Sequence, residues 1–187
     1  MQLRDTNEHY GSVTRWLHWV TAALIAIMLA LGWGGELVSE AGEQWLMPVH
    51  IGLGIAVLAL GVVRVLWRVA NTRRSPRDTG LFGRVATLVQ WTLIALLVLI
   101  PLSGWLVVSA SGHAPSFFGL FALPPLVGES EGFHELGEEV HEILPWVLVT
   151  VLALHVLGAL KHHFVDADTT LRRMLGSTLR PREAGPR

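Results

Sequence analysis

His141-Glu142-Ile143-Leu144-Pro145-Trp146-Val147-Leu148-Val149-Thr150-Val151-Leu152-Ala153-Leu154-His155 is the stretch whose reading decides the fold. Two histidines stand fourteen residues apart, and the run between them is almost wholly apolar. At about 100° per residue, fourteen helical steps fall within roughly 40° of a whole number of turns, so both imidazoles leave nearly the same helix face. At about 1.5 Å per residue they lie roughly 21 Å apart along the axis, inside a hydrocarbon core about 30 Å thick. One helix face therefore offers a nitrogen ligand at two depths of a membrane. Pro145 removes the N–H that the His141 carbonyl would accept, and so marks a place where this helix can bend.

Composition supports a membrane setting. The 187 residues are 51% hydrophobic and only 16% charged, with a mean hydropathy of +0.48. That is too apolar for an ordinary soluble domain and predicts a single membrane domain over 1–187. There is no cysteine. Disulfides, iron–sulfur clusters, thiolate ligands and covalent haem through C-x-x-C-H are thereby excluded. Nine histidines remain as the good nitrogen ligands. The first apolar run begins near Trp16, is long enough to span, and has no small-residue cleavage pattern after it. Nucleic acid is not expected as a partner; membrane lipid is.

Uncharged windows predict four spans, at about 16–36, 47–68, 85–109 and 138–163. Pro48 suits the first turn of the second helix, where its missing N–H is not needed. Pro101 predicts a kink in the third. Residues 110–137 form a long loop whose Phe117, Phe118, Leu120, Phe121 and Leu123 are apolar enough to rest on the membrane or fold over the bundle mouth. A basic tail covers 166–187, with room for a short helix at 168–175.

The charges are segregated. All fourteen Lys and Arg lie at the N-terminus, around the 64–84 loop, or from Lys161 onward. The two other loops and the span ends beside them carry nine Glu and no Lys or Arg. By the positive-inside rule both termini and the 64–84 loop are cytoplasmic, in a bacterial inner membrane, and the acidic loops face the periplasm.

This orientation sorts the histidines. Helix 4 starts outside, which places His141 in the outer leaflet and His155 toward the inner one. Helix 1 starts inside, so His18 is inner; helix 2 starts outside, so His50 is outer. His18 then matches His155 in depth, and His50 matches His141. An ionisable side chain within a span is costly and usually functional, although a lone histidine is as readily explained by a hydrogen bond to a neighbouring helix. Two opposed imidazoles make a poor zinc or copper site without further ligands. Haem iron needs only axial ligands from the protein, and two histidines saturate it, which favours electron transfer over oxygen chemistry. Gly52 and Gly54 beside His50 leave room for a flat macrocycle. Arg64, fourteen residues after His50, reads either as a partner for a haem propionate or as a side chain snorkelling to headgroups. His162 reads either as a proton-handling group beside a quinone or as an interfacial residue. His9, His113 and His134 read as solvated loop residues.

The sequence resembles the bacterial cytochrome b-561 family. The match runs through Arg15-Trp16-Leu17-His18-Trp19, Val49-His50-Ile51-Gly52-Leu53-Gly54, Val63-Arg64 and Ile100-Pro101-Leu102-Ser103-Gly104. It continues through His141-Glu142, Leu154-His155, His162-His163-Phe164 and Asp168-Thr169-Thr170-Leu171-Arg172-Arg173-Met174. The resemblance implies an all-α four-helix membrane bundle with two non-covalent b haems, one on His18 and His155 and one on His50 and His141. It implies oxidoreductase chemistry with ubiquinone or ubiquinol. In one branch of the family the outer side oxidises superoxide, and His162 matches a histidine placed near the quinone in that branch. Here the acidic outer loops disfavour an anionic substrate; a basic periplasmic redox protein or a neutral donor suits them better.

Two other readings compete. A haem-bearing anchor subunit of a larger dehydrogenase or hydrogenase has similar helices, with the donor site on a partner. A metal-ion transporter would show acidic or polar residues through the middle of its spans, and these are nearly absent. The reading admits a homodimer.

Overall fold

A computed structural model describes residues 2–6, 9–34, 39–71 and 80–176. Glu36, the loop cations Arg73, Arg74 and Arg77, and the tail beyond Gly176 lie outside the described residues. In chain order the elements are α1 (Ser12–Gly34), α2 (Glu40–Ala70), α3 (Leu81–Ala110), a hairpin of β1 (Ser116–Phe117) and β2 (Phe121–Ala122), α4 (Glu131–Phe164) and α5 (Thr170–Leu175). Among the described residues the fold is all-α apart from that hairpin, and four helices are long and apolar enough to cross a membrane.

The helices outrun the charge-free windows. Such windows mark the stretch that tolerates hydrocarbon, while backbone hydrogen bonding carries a helix on into polar turns. α4 shows this best. Ser130 caps it by accepting from the Phe133 N–H at 3.5 Å, and Glu131 lies in its first turn, where the helix dipole favours an anion. At 34 residues it is roughly 51 Å long, well beyond an apolar core of about 30 Å. His134, expected in a loop, therefore lies in α4, 3.5 Å from Glu138 one turn on. α2 differs from expectation in the same way. It begins at Glu40, so Pro48 sits inside the helix rather than in its first turn. α4 runs unbroken through Pro145 and α3 through Pro101.

The helices pack in chain order: α1 on α2, α2 on α3, and α3 most extensively on α4. Two close approaches set this. Pro101 has no N–H to give the Leu97 carbonyl. That carbonyl faces Gly61 of α2, where a Cβ would come within 3.1 Å of it. On the other side of α3, buried Gly137 lets α4 approach Val107; a Cβ there would lie 3.0 Å from Val107 Cγ2 and 3.3 Å from its backbone nitrogen. The backbones of α1 and α2 stand off from α4. The buried apolar set is correspondingly thin, comprising Leu17, Val57, Ile94, Leu96, Leu97, Ala110 and Leu148 among the described residues. Leu88, Trp146, Leu154 and Leu157 point outward, as lipid-facing side chains do.

Polar ties fix the basic end of the bundle. Trp67 Nε1 donates to Thr14 Oγ1 at 2.9 Å. Arg68 donates to Gln90 Oε1 at 3.2 Å and lies over the Trp91 ring. Trp19 Nε1 donates to the Met174 carbonyl at 3.2 Å, which docks α5 on α1. At the acidic end the hairpin folds over α2. Its turn has Phe118 and Gly119 both at positive φ, 50° and 76°, as in the mirror-image turns that match strand twist. Gly119 is the residue type for that backbone; Phe118 is not, and it is held by packing against Gly52 of α2. Ser109 Oγ and the Pro124 carbonyl, accepting from Leu126 N–H and Trp105 Nε1, pin the rest of the loop to α3.

Candidate functional site

Four histidines span the separation between α1, α2 and α4. Near the basic end, His18 of α1 faces His155 of α4, with ring centres 6.2 Å apart and planes 51° from parallel. Near the acidic end, His50 of α2 faces His141 of α4, with ring centres 6.1 Å apart and planes at 82°. The two pairs lie at different depths along one face of α4, because fourteen residues, a rise of roughly 21 Å, separate His141 from His155 on one continuous helix. Elsewhere between α1 and α4, Trp33 and Trp146 meet with ring centres 4.9 Å apart at the acidic end.

The spacing has a chemical meaning. An imidazole nitrogen sits about 2.0–2.1 Å from a metal it ligates and about 1.1 Å from its own ring centre, so two rings ligating one ion from opposite sides have centres roughly 6–6.5 Å apart. Both pairs meet that condition. A direct N–H···N bond between the rings would bring their centres to about 5 Å, and stacking would need near-parallel planes, whereas these lie at 51° and 82°. Among the described residues no group of three or more His, Asp and Glu is placed to hold a metal ion by itself. The donor set is two nitrogens per site, which suits a metal whose other ligands come from a macrocycle.

The surroundings differ between the pairs. His141 is held on its Nδ1 side: that atom is 2.9 Å from Ser103 Oγ and 3.1 Å from the Ile100 carbonyl oxygen. Gly104 lies directly against the ring, and a Cβ there would be 3.0 Å from His141 Cε1. His50 Nδ1 is buried with no hydrogen-bond partner. Gly32 and Gly52 flank this site, Gly32 toward His50 Cε1 and Gly52 under the Phe118 ring. At the other end, Trp19 contacts His18 edge-on at 5.1 Å. Arg64 Nη1 donates to the Leu17 carbonyl at 3.3 Å, and its guanidinium is near enough to both His18 and His155 for its charge to act on them.

His162 lies at the basic end of α4 in a small network. Its Nδ1 is 2.9 Å from Asp166 Oδ2 and 3.5 Å from Asp168 Oδ2. Lys161 Nζ donates to both oxygens of Asp166, at 2.9 and 2.8 Å. The Lys161 ammonium bonded to Asp166 holds that carboxyl below the usual carboxylate range, and His162 acts in the same sense. Asp168 in turn accepts from the Thr170 N–H and hydroxyl at 2.8 and 3.0 Å and so starts α5. His9 and His113 are exposed. His163 rests on the Phe164 ring at 4.8 Å, and Arg15 lies against Gly176 at the end of α5.

The six residues singled out from sequence thus fall into three groups: His50 with His141, His18 with His155 and Arg64, and His162 apart with Asp166 and Asp168. What sequence reasoning missed is the support of His141 by Ile100, Ser103 and Gly104. Those residues were visible as a motif in helix 3, but their role depends on how α3 meets α4.

The chain matches the family described as prokaryotic cytochrome b561 over residues 9–177. It is 35% identical to cytochrome b561 homolog 2 of Escherichia coli (strain K12), over 95% of this chain and 97% of that protein. It is 27% identical to cytochrome b561 homolog 1 of the same strain, over 86% and 93% of the two chains. It is 25% identical to a probable superoxide oxidase, CybB, of Yersinia pestis, over 90% and 97%.

Proposed function

Because the chain belongs to the prokaryotic cytochrome b561 family, and so is a bacterial integral membrane electron-transfer protein that binds b-type haem, we propose that it holds two haems. Each sits between one histidine pair, and the protein passes electrons between the ubiquinone pool and a partner at its acidic end. The observation that carries this reading is the presence of two imidazole pairs, each with ring centres about one ligated metal apart, at 6.2 and 6.1 Å. His18 and His155 hold one haem; His50 and His141 hold the other. Bis-histidine b haem supplies a one-electron couple without an open iron position.

The protein's own residues do the rest. The helices fix the separation of the two sites, and the apolar bundle excludes water. Arg64 sets a positive charge beside the His18–His155 pair and has further N–H donors for a propionate carboxylate. His162 directs Nδ1 to Asp166, which leaves Nε2 as the atom that gives or takes a proton when quinone is reduced or quinol oxidised. By the positive-inside rule, the basic end and both termini face the cytoplasm. The acidic end then faces the periplasm. Nine Glu with no Lys or Arg in the loops and helix ends on that side repel an anion such as superoxide and favour a cationic or neutral partner.

A reduced-minus-oxidised spectrum with a pyridine haemochrome assay on the purified protein tests the reading. We expect two b haems per chain. His18→Ala and His155→Ala should remove one spectral component, and His50→Ala and His141→Ala the other. A colourless protein after haem-sufficient expression refutes the proposal, and losses that sort His18 with His50 refute the pairing. For quinone, a ubiquinone analogue should oxidise the reduced protein, more slowly in His162→Ala; unchanged kinetics in that variant would remove His162 from the site.

A further inference from the structure

Ser103 holds the position from which one histidine of the acidic-end pair can be tuned. Its hydroxyl donates to the Ile100 carbonyl at 2.7 Å, within α3. A hydroxyl has one hydrogen, so toward His141 Nδ1, 2.9 Å away, Ser103 Oγ can only accept. The Ile100 carbonyl, 3.1 Å from the same nitrogen, is also an acceptor. Two acceptors aimed at one ring nitrogen require that nitrogen to carry the hydrogen. Nδ1 of His141 is therefore the N–H, and Nε2 presents its lone pair. Ser103 is buried at 7% exposure, so no solvent competes for this contact. Gly104 completes the clamp, because only a residue without a Cβ lets α3 lie flat against the ring.

The partner ring has no counterpart to this clamp. His50 Nδ1 is buried with no hydrogen-bond partner. The acidic-end pair is thus asymmetric: one imidazole is polarised through its Nδ1–H and the other is held by packing.

We propose that Ser103 is a positioning residue for His141, which fixes the tautomer of that ring and lowers the reduction potential of the site it shares with His50. The inference rests on the reading that His50 and His141 hold a haem. The physical basis is that acceptors on the far N–H of a ligating imidazole raise its basicity. A more basic ligand stabilises the oxidised, more positive iron. Removing the serine hydroxyl weakens that effect by about one hydrogen bond, a two- to tenfold change in the reduction equilibrium, or about 20–60 mV for one electron.

The test is a spectroelectrochemical titration of full-length wild type, Ser103→Ala and Ser103→Thr, with haem stoichiometry measured on each. Low-temperature electron paramagnetic resonance on the oxidised proteins follows the ligand field. The component to be followed is the one lost in His141→Ala. We expect Ser103→Ala to raise the potential of that component, leave the other unchanged and shift only one low-spin signal. Ser103→Thr, which keeps the hydroxyl, should restore wild-type values. If Ser103→Ala instead sheds the acidic-end haem, retention in Ser103→Thr supports the clamp, and loss in both overturns it in favour of packing alone. Unchanged potentials with both haems present, or equal shifts of both components, also overturn it. Wild type without haem would sink the haem reading itself, a different failure from haem-replete protein whose potentials ignore Ser103.

Discussion

Arg64 Nη1 donates to the carbonyl oxygen of Leu17 at 3.3 Å, tying α2 to α1 one residue before His18. The sequence allowed a propionate partner or a snorkelling cation. The Leu17 bond uses one of five N–H donors, so it is compatible with a propionate contact. What it adds is a second job, as a strut that positions the backbone of His18.

The two jobs separate in mutants. Arg64→Gln removes the charge and leaves an amide that can still reach the carbonyl. A unit positive charge about 8–16 Å from a redox centre, at an effective dielectric near 20, favours reduction by about 1–2 kcal/mol, roughly 40–90 mV. The His18–His155 component should therefore fall in potential in Arg64→Gln, with haem content intact and the other component fixed. Arg64→Ala should lower the potential and also weaken retention of that haem. Potentiometry with haem quantitation checks both, and an unmoved potential in Arg64→Gln would leave only the strut.

Gly104 gives a sharper steric test. A Cβ at this position would sit 3.0 Å from His141 Cε1 and 3.3 Å from Nδ1. The ring has little freedom to move away, because Nδ1 is held by Ser103 and Ile100. Gly104→Ala should tilt His141 and shift or weaken only the acidic-end component. Gly104→Val should lose it, since overpacking costs about 1–3 kcal/mol and the ring must turn to relieve it. Optical spectra of each variant, with the His18–His155 component as internal reference, decide this.

These tests also show where sequence reading stopped. The approach of His18 to His155 and of His50 to His141 was legible, because depth follows from the charge map and face from helical phase. α4 continues through Pro145, and His141 and His155 both meet the partners that depth assigned to them. Pro48 misled the placement of α2 because the window rule sees hydrocarbon, not helix, and the helix starts at Glu40 in polar sequence. Ser103, Gly104 and the Leu17 carbonyl were not legible as supports. Each acts across a helix–helix crossing, and no local pattern in α3 or α1 reports which residue of another helix lies opposite. The same holds for Phe118 on Gly52, where a strained backbone in a loop is paired with a glycine in α2.

The α3–α4 seam predicts a stability effect that spares the haem sites. Gly137 is buried, and a Cβ there would press on Val107 Cγ2 at 3.0 Å and on the Val107 nitrogen at 3.3 Å. Gly137→Ala should destabilise by about 1–3 kcal/mol as the helices are pushed apart. Adding Val107→Ala removes the side-chain clash but not the backbone one, so the double variant should recover only part of the loss. Thermal unfolding in detergent, followed by the haem absorbance, reads both. Full recovery in the double variant would mean that the backbone contact is not limiting.

The junction of α4 and α5 should respond to acid. Lys161 bonded to Asp166 holds that carboxyl below its ordinary value of 3.8, with His162 acting in the same sense. A carboxylate whose folded pKa is depressed contributes stability above the ordinary value and loses it as pH falls through the lowered one. The effect is thus constant at neutral pH and disappears below about pH 4. Asp166 is exposed, so the response is local to the segment it ties. Asp168 joins the same network by accepting from Thr170 at the start of α5. Hydrogen exchange of residues 161–176 should accelerate below about pH 4 beyond the intrinsic rate, while α3 stays protected. Asp166→Asn should show the faster exchange already at neutral pH, with no further acid step from this pair. If wild type and Asp166→Asn exchange alike at pH 7, the Lys161–Asp166–His162 contacts do not hold α5 in place, and its docking rests on Trp19 and the Met174 carbonyl.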